Sequence, residues 1–196
     1  MPFEPEIRAA AAKYQIPFDL LYAQVRQESS FNPLAVSRCG ARGLLQLMPA
    51  AGRECGLLWD EDFFDAQKNL LAGACYLKRQ YKSCTSMLIT MPKTVGGRDV
   101  VNICEDDDYW MLALAAYNGG IGYVIRAINL CAGDGDPLGS ANILAKISSP
   151  LCRVNGRRPD HKQITDYVAR IWAEYEHTIT PTSPLKGEGD KKKASI

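Results

Sequence analysis

The sequence has no apolar run approaching the eighteen or so residues that a membrane-spanning helix requires, so it does not predict a membrane-embedded chain. Its only two histidines, His161 and His177, form neither an HxxxH nor an HExxH pattern, which argues against a His-rich catalytic zinc site. No CxxC pair suggests a zinc ribbon or a thioredoxin-like motif. With 23 basic and 22 acidic residues, the chain lacks the basic excess expected of a protein that binds nucleic acid.

A secretory signal is also missing from the start of the sequence. The first residues, MPFE, carry no basic region, and the alanines at residues 9–12 are too few to form an apolar signal core. Either another route carries the protein out of the cytoplasm, or a leader is absent from this chain. The sequence leaves both alternatives open.

The composition that remains is that of an ordinary globular protein. Of 196 residues, 46% are hydrophobic and 23% are charged, and this length predicts one substantial core rather than two domains. We predict that residues 1–180 form this domain. Residues 181–196 are rich in Pro, Gly, Ser and Lys, and they hold too few apolar side chains to offset the entropy of ordering them. We therefore expect a disordered tail there.

Most of the predicted domain shows the spacing of amphipathic helices, with apolar residues recurring every three or four positions. Pro17 and Pro49 are expected to open two helices, Asp65 to cap a third, and the Gly residues after Asn118 to end a fourth. The predicted helical segments are 3–14, 17–28, a short piece from 49, 65–81, 109–117, 121–130 and 160–177. The sequence therefore predicts an all-α fold.

One segment, residues 83–107, departs from this helical pattern. Residues 87–91 and 100–104 look extended, and they flank a stretch that contains Gly96 and Gly97. We predict a small β-hairpin insertion here, which brings the all-α fold to the border of the α+β class.

The chemistry is expected to start at Glu28. It follows Leu21 and Val25 at helical spacing, so a carboxyl group ends an otherwise apolar helix face. Partial burial disfavours the charged form and raises the pKa, which is how a general acid stays protonated near neutral pH. By periodicity alone, a solvated carboxylate at a helix end is the better interpretation. The surrounding sequence favours the catalytic one.

That surrounding sequence resembles a known enzyme family. ESSFNPLAVS (28–37) and GARGLLQLMP (40–49) resemble the first two motifs of the family 1 lytic transglycosylases, which cleave peptidoglycan. Three further segments resemble later family motifs in the family's order: DAQKNLLAGACYL (65–77), AYNGG (116–120) and ITDYVA (164–169). The resemblance covers most of the stretch between residues 17 and 171, and it implies a lysozyme-like fold.

The resemblance also implies roles for individual residues. Glu28 matches the sole catalytic acid/base. The positions that match substrate-binding or groove-lining residues are Ser37, Gln46, Met48, Tyr117, Asn118 and Tyr167. Each of these could instead serve only in packing, or as a helix cap in the case of Asn118. The chain departs from the family at Leu45, where Met is usual, at Cys39, in the residues before Tyr167, and in the insertion at 83–107.

The implied reaction uses one carboxyl group where most glycosidases use two. Glu28 would cleave the β-1,4 bond between N-acetylmuramic acid and N-acetylglucosamine and leave 1,6-anhydro ends. The resemblance implies peptidoglycan strands as the partner, action at the cell wall, and no metal or organic cofactor. A monomer is expected. Without a visible signal peptide, release during phage lysis and delivery by secretion machinery are both open.

Three other functions stay possible at this point. A lysozyme-type hydrolase on the same fold would use water in place of the sugar hydroxyl. A catalytically idle glycan-binding module, or a structural domain of a virion, would be expected to lack the acid, and Glu28 is present. A Cys/His peptidase is suggested only by seven Cys and two His, with no recognisable motif around them.

Two interpretations of the seven cysteines are open. Cys84 and Cys104 bracket the predicted hairpin and form the most favoured single disulfide; pairs Cys131 with Cys152 and Cys39 with Cys55 would leave Cys75 unpaired. Alternatively, all seven stay reduced and pack as small hydrophobic side chains.

Overall fold

The computed structural model describes residues 1–179 and shows a helical domain. The tail predicted for residues 181–196 lies outside the described residues. Eight α-helices are present in the described part: α1 (Glu4–Tyr14), α2 (Phe18–Ser29), α3 (Pro49–Glu54), α4 (Ala66–Ile89), α5 (Asp106–Gly119), α6 (Ile121–Asp134), α7 (Ser140–Ile147) and α8 (His161–Ile179). A 3-10 turn (Asp60–Phe63) precedes α4. None of these helices is both long and apolar enough to cross a membrane.

Helix α5 forms the centre of the molecule. Its residues from Leu112 to Ala116 have no exposed surface, and a helix that is apolar on all sides must be surrounded by others. It packs against α4, α6, α7 and α8, while α2 packs against α1 and α8. The ends of α2, α5 and α8 consequently come together.

The predicted helices are confirmed, and several begin or end within a few residues of the expected positions. Asp65 caps α4 as predicted, because its side chain accepts a hydrogen bond from the Lys68 amide at 2.8 Å. Ser30 ends α2 in the left-handed conformation, at φ 50°, so the chain turns sharply just after Glu28. Glu28 therefore lies in the last turn of a buried helix.

The hairpin is present but much smaller than predicted. Strands β1 (Thr94–Val95) and β2 (Arg98–Asp99) pair antiparallel around Gly96 and Gly97. The prediction that residues 87–91 are extended was wrong, because α4 continues to Ile89 and buries Leu88 in the core. Residues 100–104 also form no strand, and Asn102 makes only an isolated bridge to Leu138.

The smaller hairpin also removes the basis for a Cys84–Cys104 disulfide. All seven cysteines are free thiols, which agrees with the interpretation that they stay reduced and not with the bridge that the hairpin register suggested. Cys84 lies within α4 and is fully buried, and the Sγ of Cys104 donates to the carbonyl of Leu138 at 3.1 Å. Continuing the observed register would place Ile89 opposite Cys104. Burial raises the pKa of the Cys84 thiol to about 12, which leaves almost no reactive thiolate.

Candidate active site

Glu28 is held at the meeting point of α2 and α8. The hydroxyl of Tyr167 on α8 donates to Glu28 Oε1 at 2.6 Å, across 139 positions of the sequence. Burial raises the pKa of Glu28 to about 7, and the hydrogen bond from Tyr167 opposes this rise. The carboxyl group is therefore protonated in a large fraction of molecules near neutral pH. This is the state that a general acid requires.

Tyr167 is itself fixed from the other side. It is 5% exposed, and its oxygen accepts a hydrogen bond from Nε2 of Gln24 at 3.1 Å. Gln24 lies on α2 one turn before Glu28, so one helix supplies both partners of the tyrosine. Burial and the nearby Glu28 carboxyl raise the pKa of Tyr167 well above its ordinary value, so its hydroxyl keeps its proton.

The loop that carries the second motif is fastened to α4 by Asn69. This side chain has no exposed surface; its Oδ1 accepts from the Leu45 amide at 2.8 Å, and its Nδ2 donates to the carbonyls of Arg42 and Phe63. Gly43 completes the contact, because its φ is +75° and a Cβ there would lie 2.1 Å from the Phe63 carbonyl oxygen. The loop thus has one fixed conformation.

Gln46 and Tyr117 also hold this loop. The Gln46 amide nitrogen donates to the carbonyls of Ala35 and Gly43, at 3.1 and 3.0 Å. The Tyr117 hydroxyl donates to the Leu45 carbonyl at 2.6 Å. Because the nitrogen of Gln46 is already paired, only its Oε1 remains to accept a hydrogen bond from a ligand.

Asn118 lines the same two cavities as Glu28, and α5 and α8 approach closely next to it, at Gly119. A Cβ at Gly119 would lie 2.2 Å from Ile164 Cδ1, so only glycine permits this packing. The Oδ1 of Asn118 is buried and has no hydrogen-bond partner within residues 1–179. A buried acceptor without a partner is uncommon and marks a position where a ligand or water can donate.

Two cavities meet at Glu28 and form one groove. The first, of about 390 Å³, is lined by Glu28, Ser37, Cys39, Ala41, Gln46, Met48, Tyr117, Asn118 and Gln163. The second, of about 240 Å³, is lined by Gln27, Glu28, Asn118, Gln163, Asp166, Tyr167 and Arg170. We call these two cavities the groove. Glu28 and Asn118 lie at its middle, with space for a ligand on both sides.

The groove brings together all seven residues singled out in the sequence. Ser37 lines it, while its Oγ accepts a hydrogen bond from the Ala41 amide at 3.0 Å. Met48, which is 45% exposed, offers an apolar surface there. Tyr117 and Gln46 also hydrogen-bond to the backbone of the loop. Both residues therefore stabilise the loop and line the groove.

Several groove residues were missed by the sequence analysis. Gln163, Asp166 and Arg170 lie on the α8 face that also carries Tyr167, and their i, i+3 and i+7 spacing was the available signal. The signal for Gln24 was its position, because it is a polar residue one turn before Glu28 on an otherwise apolar helix face. Asp166 is the only carboxylate besides Glu28 that lines the groove within residues 1–179, and it pairs with Lys162 at 3.7 Å.

The described residues offer no ready metal site. Within residues 1–179, no group of three or more His, Cys, Asp or Glu side chains is placed to hold a metal ion.

The chain is similar to proteins of one enzyme class. It is 34% identical over 139 residues to membrane-bound lytic murein transglycosylase F of Maricaulis maris, covering 71% of this chain and 26% of that protein. It is 34% identical over 133 residues to membrane-bound lytic murein transglycosylase C of Photorhabdus laumondii, covering 64% of this chain and 33% of that protein. The chain thus spans between a quarter and a third of the length of these two relatives.

Solved structures confirm the expected fold. The 70 kDa soluble lytic transglycosylase from Escherichia coli matches 90% of this chain and 24% of its own, with a TM-score of 0.60 and 21% identity. An inactive mutant of the lytic transglycosylase Slt from Pseudomonas aeruginosa matches 89% of this chain and 24% of its own, with a TM-score of 0.59 and 20% identity.

The family profile described as the transglycosylase SLT domain matches residues 5–134, which hold α1 to α6 and every groove residue except those on α8. The structural neighbours extend the likeness in fold beyond this range, because they match about nine tenths of the chain. By this match over most of its length, the chain belongs to the transglycosylase SLT domain family.

Proposed function

We propose that residues 1–180 are the catalytic domain of a peptidoglycan lytic transglycosylase. The single observation that carries this proposal is Glu28, a carboxyl group with a pKa of about 7 at the middle of a groove open on both sides. The substrate would be a glycan strand in which N-acetylmuramic acid alternates with N-acetylglucosamine. Membership of the SLT family supports this choice.

The reaction needs one group that gives and then takes a proton. Glu28 protonates the glycosidic oxygen while the bond from that oxygen to C1 of the muramic acid breaks, and the bonding electrons stay with the leaving oxygen. The carbonyl oxygen of the substrate's own acetamido group stabilises the positive charge at C1. The Glu28 carboxylate then removes the proton of the C6 hydroxyl, whose oxygen bonds to C1. This step forms the 1,6-anhydro ring and restores the acid.

The groove residues would orient the sugar for these steps. Asn118 Oδ1, which has no partner among the described residues, can accept a hydrogen bond from the acetamido N–H, and Gln46 Oε1 can accept a second. Met48 would pack against the apolar face of a sugar ring. Tyr167 would stabilise the Glu28 carboxylate after the first proton transfer, because it already donates to Oε1.

A lysozyme-type hydrolase is the second candidate, and one observation favours testing it. Asp166 shares the second cavity with Glu28, and an inverting hydrolase needs a second carboxylate to activate water. The proposed mechanism gives Asp166 no proton to transfer. Its 45% exposure and its pairing with Lys162 fit a surface role.

Product analysis on purified peptidoglycan tests the proposal. We expect muropeptides with 1,6-anhydro ends, which are lighter by one water than hydrolysis products, and activity loss of about a hundredfold or more in Glu28→Gln. Asp166→Asn is the matched control and should keep activity within about threefold. Reducing ends together with an inactive Asp166→Asn would establish the hydrolase instead. Binding without any cleavage by the wild type would indicate a glycan-binding module.

The place of action follows from the substrate. We propose that the domain works as a monomer at the cell wall, on peptidoglycan strands, because that is where such strands occur. The relatives are named as membrane-bound murein transglycosylases, and this supports the same setting here.

A further inference from the structure

The side-chain amide of Gln24 is buried, and its nitrogen and oxygen differ in their hydrogen bonding. It has no exposed surface, its Nε2 donates to Tyr167, and its Oε1 has no hydrogen-bond partner in the part of the chain that the structure describes. An unpaired buried carbonyl destabilises the folded state relative to an apolar group of the same shape, because it loses its hydrogen bonds to water. Stability alone would therefore favour an apolar side chain at this position, which points to a role in the site next to it.

The amide sets the direction of a chain of hydrogen bonds. An amide nitrogen can only donate, so the Tyr167 oxygen accepts from Gln24. A phenol has one proton, and that proton is consequently directed to Glu28 Oε1 at 2.6 Å. Oε1 is then an acceptor, and the acidic proton of Glu28 is left to Oε2, which makes no hydrogen bond within residues 1–179 and is not among the buried unpaired atoms there.

We propose that Gln24 is a positioning residue for catalysis: acting through Tyr167, it keeps the transferable proton of Glu28 on Oε2, the oxygen available to the groove. This inference rests on the proposed function for its catalytic meaning. The same chain stabilises the carboxylate once the proton has left, because a hydroxyl that accepts a hydrogen bond is a stronger donor. Gln24 thus serves both the acid and the base form of Glu28.

Replacing Gln24 tests the hydrogen-bond chain without changing any charge, because glutamine is neutral. Within residues 1–179, the other titratable or charged side chains that share a cavity with Glu28 are Cys39 from the loop after α2, Tyr117 from α5, and Tyr167, Asp166 and Arg170 from α8. None of them changes in a Gln24→Met variant. Methionine matches the length of glutamine and removes the unpaired carbonyl, so the variant is expected to fold.

The experiment is a titration of the Glu28 carboxyl carbon by NMR without substrate, with the signal assigned by its absence in Glu28→Gln. We expect the pKa of Glu28 to rise by roughly half a unit to one unit in Gln24→Met, because Tyr167 becomes a weaker donor. In Tyr167→Phe, adding Gln24→Met should cause no further shift. Gln80→Met is the control, since Gln80 is 7% exposed on α4 and lies outside the groove.

Kinetics on glycan strands complete the test. We expect kcat of Gln24→Met to fall about three- to tenfold with KM unchanged. The alkaline limb of its kcat/KM against pH should move with the pKa measured by NMR, because kcat/KM reports the free enzyme. An unchanged pKa in Gln24→Met, or in Gln24→Leu where the methionine variant does not fold, would overturn the inference. A wild type that does not cleave glycans overturns the proposed function, while the titration still decides whether the hydrogen-bond chain exists.

Discussion

Glu28 loses much of its contact with water on folding, and this makes the stability of the protein depend on pH. Its pKa is about 7 in the folded protein and near 4.5 in the unfolded chain. Below pH 4.5 both states carry the proton. Between pH 4.5 and pH 7 the unfolded chain loses the proton first, so stability falls as pH rises, and above pH 7 the loss is constant.

Glu28→Gln should remove this loss, because the amide keeps the shape and carries no charge. We predict that the variant matches the wild type at pH 4 and exceeds its free energy of unfolding by up to about 3 kcal/mol at pH 8. Urea unfolding at both pH values measures the difference. A gain of equal size at pH 4 and pH 8 would mean that the carboxyl group is not the cause.

At the scale of single residues, the sequence singled out Glu28 but did not show which side chain contacts it. By periodicity alone, the spacing of Leu21, Val25 and Glu28 favoured a solvated carboxylate at a helix end, whereas the structure buries Glu28. The contact with Tyr167 could not come from spacing, because periodicity along α2 does not tell which distant side chain covers its end. The resemblance to a family named Tyr167 as a groove residue, and the structure adds its bond to Glu28.

Among the elements, the loop between α2 and α3 depends on a single side chain of α4. Replacing Asn69 by alanine would leave the buried Leu45 amide without an acceptor and would release the Arg42 and Phe63 carbonyls. We predict a loss of about 2–4 kcal/mol in the free energy of unfolding, with reduced activity because Gln46 lies in the released loop.

Chemical denaturation of Asn69→Ala measures this loss. Asn142→Ala is the matched control, because its amide makes one hydrogen bond to the Pro137 carbonyl at the surface, and it should change stability by less than about 0.5 kcal/mol. If both variants unfold at the same urea concentration, Asn69 does not hold the loop.

The prediction of elements failed only where a local pattern was ambiguous. Residues 87–91 contain Met, Leu and Ile, and a short apolar run of this kind fits a strand or the last turn of a helix equally well. The segment up to Ile89 is helical, because a helical backbone places Leu88 in the core. Such tertiary contacts are not visible in a window of a few residues.

For the whole molecule, residues 1–179 contain every groove residue named above. We predict that a chain ending at Thr180 keeps the melting temperature within about 2 °C of the full chain, because the removed residues offer little apolar surface to bury. Scanning calorimetry and a cell-wall clearance assay compare the two chains. A drop of many degrees would contradict the predicted disordered tail and would show that it packs on the domain.

The 139-residue separation between Glu28 and Tyr167 also has a consequence for the order of events during synthesis. Glu28 is translated well before the helix that covers and orients it. A nascent chain that still lacks α8 holds Glu28 as an ordinary solvated carboxylate, with a pKa too low for it to donate a proton near neutral pH. The proposed activity therefore requires a chain that extends through α8, because a chain that stops before it holds Glu28 without the side chain that orients it.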